Sequence, residues 1–366
     1  MSEVEGAVEM PEGSPQSIWF NEKARRGGFP SGAALLSSLD LRKYRVEQIY
    51  RAATKELVLD LDAVTTLPKE LRTKLNDHGF AFDSVTPNVV QRSNDKQTTK
   101  GLFRLADGSE VEAVLMEHRG ARSTVCISSQ AGCAYACGFC ATGQGGFTRN
   151  LDATEIFDQA RYFARELARR EKRITNIVFM GMGEPFANYD AVMDAVRLLH
   201  DPKGFGLGHR HITISTVGLV PQIDKFASEG VQVNLAISLH APNDELRGRL
   251  MPVNRKYPIA ELMATCQRYM KATHRKIFFE YVMLDGQNDS DACATELARL
   301  MRGPLYHVNL IPYNSTGAEL SGSSDAKVRA FQKKLEEHGA VATVRVPMGR
   351  DIAAACGQLK AEKNAS

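Results

Sequence analysis

Three of the seven cysteines in this chain lie close together, as Cys133, Cys137 and Cys140 in a C-x₃-C-x₂-C pattern. Thiolates are soft ligands that suit zinc or an iron–sulfur cluster. A structural zinc site needs four ligands and an electron-transfer cubane also binds four cysteines, but no fourth ligand is obvious here. Three thiolates leave one iron of a [4Fe–4S] cubane open to the amino and carboxylate groups of S-adenosylmethionine. The pattern therefore predicts a [4Fe–4S] cluster that splits S-adenosylmethionine, and a structural zinc site is the alternative.

A second signature, Gly181-Met182-Gly183-Glu184-Pro185, follows the next strand candidate. Glycines allow a ligand to approach the backbone closely, and the carboxylate of Glu184 can bind the ammonium group of an amino acid. This turn alone is weak evidence. Because it lies one strand and one helix after the cysteine pattern, it supports the prediction of a site for S-adenosylmethionine. We expect Phe139, just before the third cysteine, either to pack on the adenine of S-adenosylmethionine or to pack under the loop.

The composition is that of an ordinary soluble globular protein, with 43% hydrophobic and 24% charged residues. No apolar run approaches the ~18 residues that span a bilayer, and the acidic N-terminus does not resemble a signal peptide. We therefore expect a cytoplasmic protein without a membrane partner. In such a chain an odd number of cysteines favours metal binding or catalysis over a disulfide framework. Cys266 and Cys293 lie in helical patterns without a motif, which is typical of buried core residues.

A strand-then-helix rhythm extends over most of the chain. Apolar strand candidates lie at 124–128, 174–180, 211–215, 232–239, 277–283 and 306–311. Helical patterns lie between them at 153–170, 189–200, 220–229, 258–272 and 289–302, and a helix at 325–338 and a strand at 341–346 follow. Strands this apolar are typical of parallel sheets, and successive βα units predict an α/β barrel or an open partial barrel. Its active site would lie at the C-terminal ends of the strands.

The region before this rhythm predicts a small helical unit and a hairpin. Apolar residues recur at helical spacing over 41–55, and a second helix is expected with Thr66 as N-cap, Pro68 in its first turn and an end near Gly79. The polar residues 91–98 are typical of a linker. Asp107-Gly108 then predicts a tight turn between two strands.

These patterns divide the chain into five segments. We expect a disordered tail at 1–16, a helical accessory domain at 17–95 and a hairpin linker at 96–122. The barrel with a C-terminal catalytic segment follows at 123–359, and a second tail at 360–366.

The motifs together resemble the RlmN/Cfr family of radical-SAM RNA methyltransferases, over nearly the whole chain from about residue 30 to residue 359. The motifs that carry the resemblance are the cysteine loop, Val125-Cys126-Ile127-Ser128-Ser129-Gln130, Gly183-Glu184-Pro185, Thr213-Ile214-Ser215-Thr216-Val217-Gly218, Ser238-Leu239-His240-Ala241, Asn309-Leu310-Ile311-Pro312-Tyr313-Asn314 and the stretch from Arg350 to Leu359. The resemblance implies a partial (β/α)6 TIM-like radical-SAM barrel with a small N-terminal helical accessory domain. It also implies methylation of an adenine ring carbon in ribosomal RNA.

The resemblance also implies roles for three residues outside the cluster. Cys356 would be the methyl carrier, which one S-adenosylmethionine methylates and a second activates as a radical. Cys126 would be the resolving cysteine that releases the product and leaves a disulfide to be reduced. Glu112 would be the general base that removes the ring proton. Without the resemblance, both cysteines are typical of buried small hydrophobic residues and Glu112 of a solvent-facing strand residue.

The resemblance further implies contacts to S-adenosylmethionine and a set of partners. The contacts are Gly183, Glu184, Ser215, Ser238, Leu239, His240 and Asn314. The expected substrates are adenosine 2503 of 23S rRNA and adenosine 37 of some tRNAs, with flavodoxin or ferredoxin as electron donor and a monomeric enzyme. The branch that methylates carbon 8 tends to have alanine where this chain has Pro185, which favours carbon 2. Alternatives are carbon-8 methylation, a radical-SAM enzyme acting on a peptide or small molecule, and an RNA-binding metal protein without turnover.

Overall fold

The computed structural model of this protein describes residues 10–29, 31–39 and 41–359. The strands are β1 Thr86–Arg92, β2 Thr98–Arg104, β3 Glu110–Glu117, β4 Ser123–Cys126, β5 Gln130–Gly132, β6 Phe147–Asn150, β7 Asn176–Phe179, β8 Ile212–Thr216, β9 Asn234–Ser238, β10 Ile277–Met283, β11 Tyr306–Pro312 and β12 Ala342–Val344. The helices are α1 Pro15–Arg26, α2 Gly32–Ser38, α3 Lys43–Thr54, α4 Lys69–Asp77, α5 Ala141–Gln144, α6 Ala153–Ala168, α7 Tyr189–His200, α8 Val220–Ser228, α9 Asp244–Leu250, α10 Ile259–Thr273, α11 Asp291–Leu300 and α12 Asp325–Glu337.

A long sheet forms the barrel, in the order β1-β2-β3-β4-β7-β8-β9-β10-β11-β12. Every neighbouring pair from β4 to β12 is parallel. Alternate strand residues such as Ile214 and Phe279 are fully buried in the core, whereas Ser215 and Glu280 line a cavity inside the sheet. Strand alternation therefore divides an apolar outer face, covered by helices, from a partly polar lumen. The predicted α/β fold with a partial barrel is confirmed.

Three antiparallel strands continue the sheet beyond β4. The hairpin predicted around Asp107-Gly108 joins β2 to β3, and Gly108 has the positive φ of 83° that such a turn favours. The linker predicted at 91–98 is wrong, because these residues end β1, turn and begin β2. β1 is an edge strand with mostly exposed side chains, so it lacks the apolar pattern of a buried strand. The predicted boundary at 95/96, between the helical accessory domain and the hairpin linker, therefore falls inside the hairpin of β1 and β2.

The N-terminal helices form a small apolar unit centred on Trp19. This side chain is fully buried, and its ring makes edge contacts with Phe20, Tyr50 and Phe80. Ser14 caps α1 by accepting a hydrogen bond from the amide of Ser17 at 3.2 Å. The expected disordered tail is therefore wrong for its last residues, since the helix begins at Pro15. Residues 1–9 of that tail, and the second tail at 360–366, lie outside the described residues.

The two helices predicted in this unit are present as α3 and α4. The N-cap assigned to Thr66 is wrong, because α4 begins at Lys69 and Pro68 occupies the cap position with an extended ψ of 143°. Gly79 follows the end of α4 with φ +68°, as predicted. No helix in the described part of the chain is both long and apolar enough to cross a membrane.

A buried charge network joins the N-terminal unit to α6. The Nζ of Lys23 donates to Oδ2 of Asp158 at 2.8 Å, and both side chains are almost fully buried. The same lysine donates to Oγ of Ser84 at 2.6 Å. Arg161, also on α6, donates to Asp83 and is fully buried itself. These contacts fix the N-terminal unit against the helical layer of the barrel.

The C-terminal segment 345–359 crosses the open side of the barrel. Leaving β12, it reaches the hairpin, where the amide of Asn94 donates to Oδ2 of Asp351 at 2.7 Å. It then returns to the cysteine loop, where the amide of Ala141 donates to the carbonyl of Gly357 at 2.8 Å. The hydroxyl of Thr142 donates to the carbonyl of Leu359. The segment thus bridges the two edges of the partial barrel beside the cysteines.

Candidate active site

The loop after β4 carries the three clustered cysteines near the C-terminal ends of the parallel strands. The amide of Cys133 donates to the carbonyl of Gly146 at 2.7 Å, and the amide of Cys140 donates to the carbonyl of Cys137 at 3.1 Å. Gly132 has φ +77°, and a Cβ there would lie 2.1 Å from the carbonyl oxygen of Gly146. Glycine is therefore required where the loop turns. All three cysteines line one cavity of 160 Å³.

The three thiols are free and close enough to affect one another's pKa. Burial, with smaller contributions from Glu184 and Cys140, raises the pKa of Cys133 to about 11. Burial and the two neighbouring thiols also raise the pKa of Cys137. Within the described ranges no group of three or more Cys, His, Asp or Glu side chains is arranged to hold a single metal ion. Three free thiols on one cavity wall are a donor set that fits an iron–sulfur cluster.

Glu184 lies on the same cavity and is only 2% exposed. Its Oε1 accepts from the amide of Phe186 at 3.0 Å and its Oε2 from the amide of Val217 at 2.7 Å. Burial raises the pKa of this carboxyl group to about 7, although the hydroxyl of Thr216 and the two amides oppose the shift. A buried carboxyl group with fixed orientation and few charged neighbours suits the ammonium group of a ligand.

Gly183 brings the backbone close to the cysteine side of the cavity. It has φ +97°, and a Cβ at this position would lie 2.5 Å from Cβ of Gln130. Gln130 in turn accepts a hydrogen bond at its Oε1 from the amide of Glu184 at 2.8 Å. The glycine therefore lets the turn that carries Glu184 lie directly against the residues that precede the cysteines.

The C-terminal ends of β8 and β9 carry the next residues that were predicted to contact S-adenosylmethionine. Ser215, Ser238 and His240 line the cavity, whereas Leu239 is fully buried and is not among the residues that line it. The Nδ1 of His240 accepts from the amide of Val282 at 3.0 Å. Burial, helped by Arg247, lowers the pKa of His240 to about 3, so its imidazole is neutral.

Phe139 contacts the ring of His240 with centroids 4.5 Å apart in an edge arrangement, and it lines the same cavity. This contact shows how the cysteine loop packs against the end of β9. The expected contact with an adenine ring remains a prediction.

Cys126 and Cys356 lie together although the chain separates them widely. Both are free thiols, and both line a larger cavity of 570 Å³ that extends along the lumen. Burial raises the pKa of Cys126 to about 12, and the neighbouring Cys356 adds to the shift. Cys356 also lines the smaller cavity with the clustered cysteines. Cys356 therefore borders both cavities.

Asn314 is placed apart from the other predicted contacts to S-adenosylmethionine. It lines the larger cavity, and it is not among the lining residues of the smaller one. Its Oδ1 accepts from Nε of Arg350 at 2.7 Å, and its Nδ2 donates to the carbonyl of Cys356 at 3.4 Å. In this arrangement Asn314 supports the segment that carries Cys356.

Glu112 is buried on β3, where Val114 pairs with Cys126 of β4. Because alternate residues share one face of a strand, Glu112 lies on the same face as that pair. The Nζ of Lys100 forms an ion pair with Oε1 of Glu112 at 3.0 Å. The expectation of a solvent-facing glutamate, made without the resemblance, is wrong. Glu112 does not line either of the two cavities.

Comparisons with known proteins agree with this geometry. Residues 127–296 match the model of the radical SAM superfamily. The chain is 50% identical to the probable dual-specificity RNA methyltransferase RlmN of Chloroflexus aurantiacus, over 89% of this chain and 89% of that protein. It is 44% identical to the ribosomal RNA large subunit methyltransferase N of Nitrosopumilus maritimus, over 90% of this chain and 95% of that one. This chain belongs to the RlmN family of radical-SAM RNA methyltransferases.

A solved structure of the same kind supports the family assignment. The crystal structure of a radical SAM methyltransferase from Sphaerobacter thermophilus is 48% identical and superposes with a TM-score of 0.88, covering 94% of this chain and 99% of that one. Radical-SAM proteins in general use S-adenosylmethionine and an iron–sulfur cluster. The three free thiols and the carboxyl group of Glu184 on the smaller cavity are chemically suited to both groups.

The sequence analysis missed two residues of the site, Glu280 and Arg345. Glu280 lies in the middle of β10 and is 3% exposed. Its Oε1 accepts from Nη2 of Arg345 at 2.8 Å, and both residues line the smaller cavity with Cys356. The charge of Glu280 in an otherwise apolar strand could have identified this residue from the sequence. A buried carboxylate needs a partner, so its presence in such a strand indicates a site.

Proposed function

We propose that this protein methylates carbon 2 of adenosine 2503 in 23S rRNA, and adenosine 37 of some tRNAs, through a methyl group carried on Cys356. The observation that carries the proposal is the position of Cys356 on both cavities. A carrier that accepts a methyl group from one molecule and delivers it to another must reach two binding sites. The names of the relatives support RNA as the substrate class.

The smaller cavity is proposed to bind S-adenosylmethionine. Cys133, Cys137 and Cys140 would hold a [4Fe–4S] cluster, which when bound supplies the electron that breaks the sulfonium bond of S-adenosylmethionine. Glu184 would bind the ammonium group of the amino acid moiety, and the neighbouring strand ends would orient the nucleoside. The neutral His240 adds no cationic charge beside a sulfonium ligand.

The larger cavity is proposed to receive the target adenine. With 570 Å³ against 160 Å³, it is the roomier of the two cavities that Cys356 lines. Because the base must leave its stack to reach Cys356, the enzyme would bind it in a flipped conformation. The resemblance to the family assigns removal of the ring proton to Glu112, which lies on the strand face of Cys126 behind the cavity wall, so the bound base and β3 would have to move together for the transfer.

The thiol of Cys126 completes the proposed cycle. Its thiolate would attack the sulfur of Cys356, so that a Cys126–Cys356 disulfide forms and the bond from that sulfur to the methylene carbon on the base breaks. The electron pair of the broken bond stays with the base, and a proton from solvent completes the methyl group. An external thiol or other two-electron reductant then restores both cysteines. Flavodoxin or ferredoxin would supply the electron for the cluster, and the enzyme would act as a monomer.

The test is anaerobic reconstitution with S-adenosylmethionine, a reductant and a 23S rRNA fragment, followed by mass spectrometry of the nucleosides. We expect 2-methyladenosine from the native protein and none from Cys356→Ala, whereas Cys293→Ala, a cysteine outside both cavities, should leave the product unchanged. The preparation should contain about four irons with sulfide and not one zinc. Formation of 8-methyladenosine would show that the carbon-8 alternative is right. Cleavage of S-adenosylmethionine without a modified base would contradict the RNA substrate.

A further inference from the structure

The two cavities that Cys356 borders differ in charge. The smaller cavity carries two buried carboxyl groups, those of Glu184 and Glu280. Among the described residues that line the larger cavity there is no aspartate or glutamate, whereas two arginines, Arg122 and Arg345, lie on its wall. A cleft lined by one sign of charge concentrates ligands of the opposite sign. The larger cavity is therefore suited to a ligand that carries negative charge.

Of these two arginines, Arg122 has the uncompensated charge. The Nη2 of Arg345 donates to Oε1 of Glu280 at 2.8 Å, so a buried carboxylate balances its charge. The guanidinium of Arg122 makes no hydrogen bond or ion pair with any residue that the structure describes. Arg122 is also exposed, so its N–H donors are available to a ligand.

The position of Arg122 in the chain directs its side chain into the larger cavity. Arg122 immediately precedes β4, and Thr124 and Cys126 on that strand line the same cavity. Because alternate residues share one face of a strand, these three side chains lie on the luminal face, whereas Val125 is fully buried on the opposite face. Four positions of extended chain separate Arg122 from Cys126, a distance of about 13 Å. This distance is comparable to the length of one extended nucleotide.

The turn between β3 and β4 holds Arg122 beside His118, which also lines the larger cavity. The amide of His118 donates to the carbonyl of Arg122 at 2.8 Å. Burial, with a contribution from Arg122, lowers the pKa of His118, so its imidazole is neutral at pH 7. Of the residues that line this end of the cavity, Arg122 therefore carries the permanent positive charge.

We propose that Arg122 binds a phosphate group adjacent to the target adenosine in the RNA strand, and so positions the base beside Cys356. A guanidinium group binds phosphate through two parallel N–H···O bonds. A base inside the larger cavity remains joined through its ribose to the phosphates on either side, and Arg122 lies within a nucleotide's length of Cys126. This inference rests on the proposed function, since it takes RNA as the substrate. It assigns a role to a residue outside all the motifs that carry the family resemblance.

The first experiment separates RNA binding from chemistry. Methylation of a 23S rRNA fragment by the reconstituted holoenzyme is measured by mass spectrometry, and binding of the fragment by fluorescence anisotropy at several salt concentrations. We expect Arg122→Gln to raise KM for the fragment about tenfold while kcat stays within about twofold of the native value. The slope of log affinity against log salt should become shallower by about 0.7–0.9, which corresponds to the loss of one phosphate contact.

Three comparisons exclude a merely structural effect. Arg122→Lys keeps the charge and should restore most of the affinity. Arg329→Gln removes an exposed charge on α12 that lines neither cavity, and it should change neither KM nor the slope. Methylation of Cys356 by S-adenosylmethionine without RNA should be the same in all variants, because Arg122 does not line the smaller cavity.

Neutral linkages in the RNA locate the phosphate that Arg122 binds. Two fragments carry a methylphosphonate in place of the phosphate on the 5′ side or on the 3′ side of the target adenosine. One of them should bind the native enzyme about tenfold more weakly and bind Arg122→Gln with no further loss. Equal losses in both proteins, or an unchanged KM for Arg122→Gln, would overturn the assignment. If the fragment binds with a salt slope that depends on Arg122 but is never methylated, the proposed function fails and the phosphate contact stands.

Discussion

The main-chain amide of Ala141 donates to the carbonyl oxygen of Gly357 at 2.8 Å. Ala141 follows the last clustered cysteine and Gly357 follows Cys356, so this bond joins the cysteine loop directly to the segment of the proposed methyl carrier. The adjacent hydrogen bond from the hydroxyl of Thr142 to the carbonyl of Leu359 strengthens the same junction. The distance between the carrier and the cluster site therefore depends on contacts outside the sheet.

Replacement of Thr142 by valine tests this junction. Thr142 is 4% exposed, so the carbonyl of Leu359 would lose a buried donor at a cost of about 1–3 kcal/mol. We expect methylation of Cys356 to fall several-fold while the iron content stays unchanged, as measured by peptide mass spectrometry and iron analysis. Thr295→Val, which removes an exposed hydroxyl bonded to Asp291 at 2.9 Å, should have no effect. Loss of iron in Thr142→Val would contradict this explanation.

Replacement of Gly183 by alanine should weaken the binding of S-adenosylmethionine. The new Cβ would lie 2.5 Å from Cβ of Gln130, at a backbone φ of +97°, so the turn that carries Glu184 must move. We expect affinity to fall by at least about tenfold, measured by equilibrium dialysis with the reconstituted enzyme. Gly206→Ala is the matched control, because Gly206 also has a positive φ, +76°, but nothing lies within 4 Å of the added Cβ. Equal affinity in both variants would show that crowding at Gly183 is unimportant.

The buried pair of Lys23 and Asp158 should matter for stability and not for chemistry. Lys23→Met would leave the buried carboxylate without its cation, and loss of one partner of such a pair costs about 3–5 kcal/mol. Urea denaturation should show this loss, while the folded fraction keeps its activity. Lys225→Met removes an exposed pair with Asp190 at 2.8 Å and should cost no more than about 1 kcal/mol. Similar losses of unfolding free energy in Lys23→Met and Lys225→Met would contradict the stabilising role of the buried pair.

The pH dependence of Cys126 should differ from that of an ordinary surface thiol. Burial, with a contribution from Cys356, raises its pKa to about 12. A raised thiol pKa means that the thiolate fraction is small at neutral pH and grows tenfold with each pH unit up to that value. Alkylation of Cys126 by iodoacetamide should therefore keep rising through pH 10, whereas that of free cysteine in the same solution levels off above its pKa of about 8.5. A plateau for Cys126 below pH 9 would contradict the prediction.

The sequence by itself predicted the donor set of the cysteine loop and the strand–helix order of the fold. The spacing of Cys133, Cys137 and Cys140 limits the possible metal groups because ligand number and softness are local properties. The strand candidates matched β7 to β11 closely, since a strand buried on both faces must be apolar throughout. Gly183 and Glu184 could be predicted as neighbours in one site because a single short turn carries both.

Only the tertiary structure decided which distant residues meet. The edge strand β1 is largely exposed and so carries no apolar pattern. The contact between Glu280 and Arg345 depends on how far the barrel closes, which no local pattern encodes. The meeting of Cys126 with Cys356 depends on the path of the C-terminal segment across the open barrel. That path is set by hydrogen bonds to the hairpin and to the cysteine loop, which form only once the sheet is assembled.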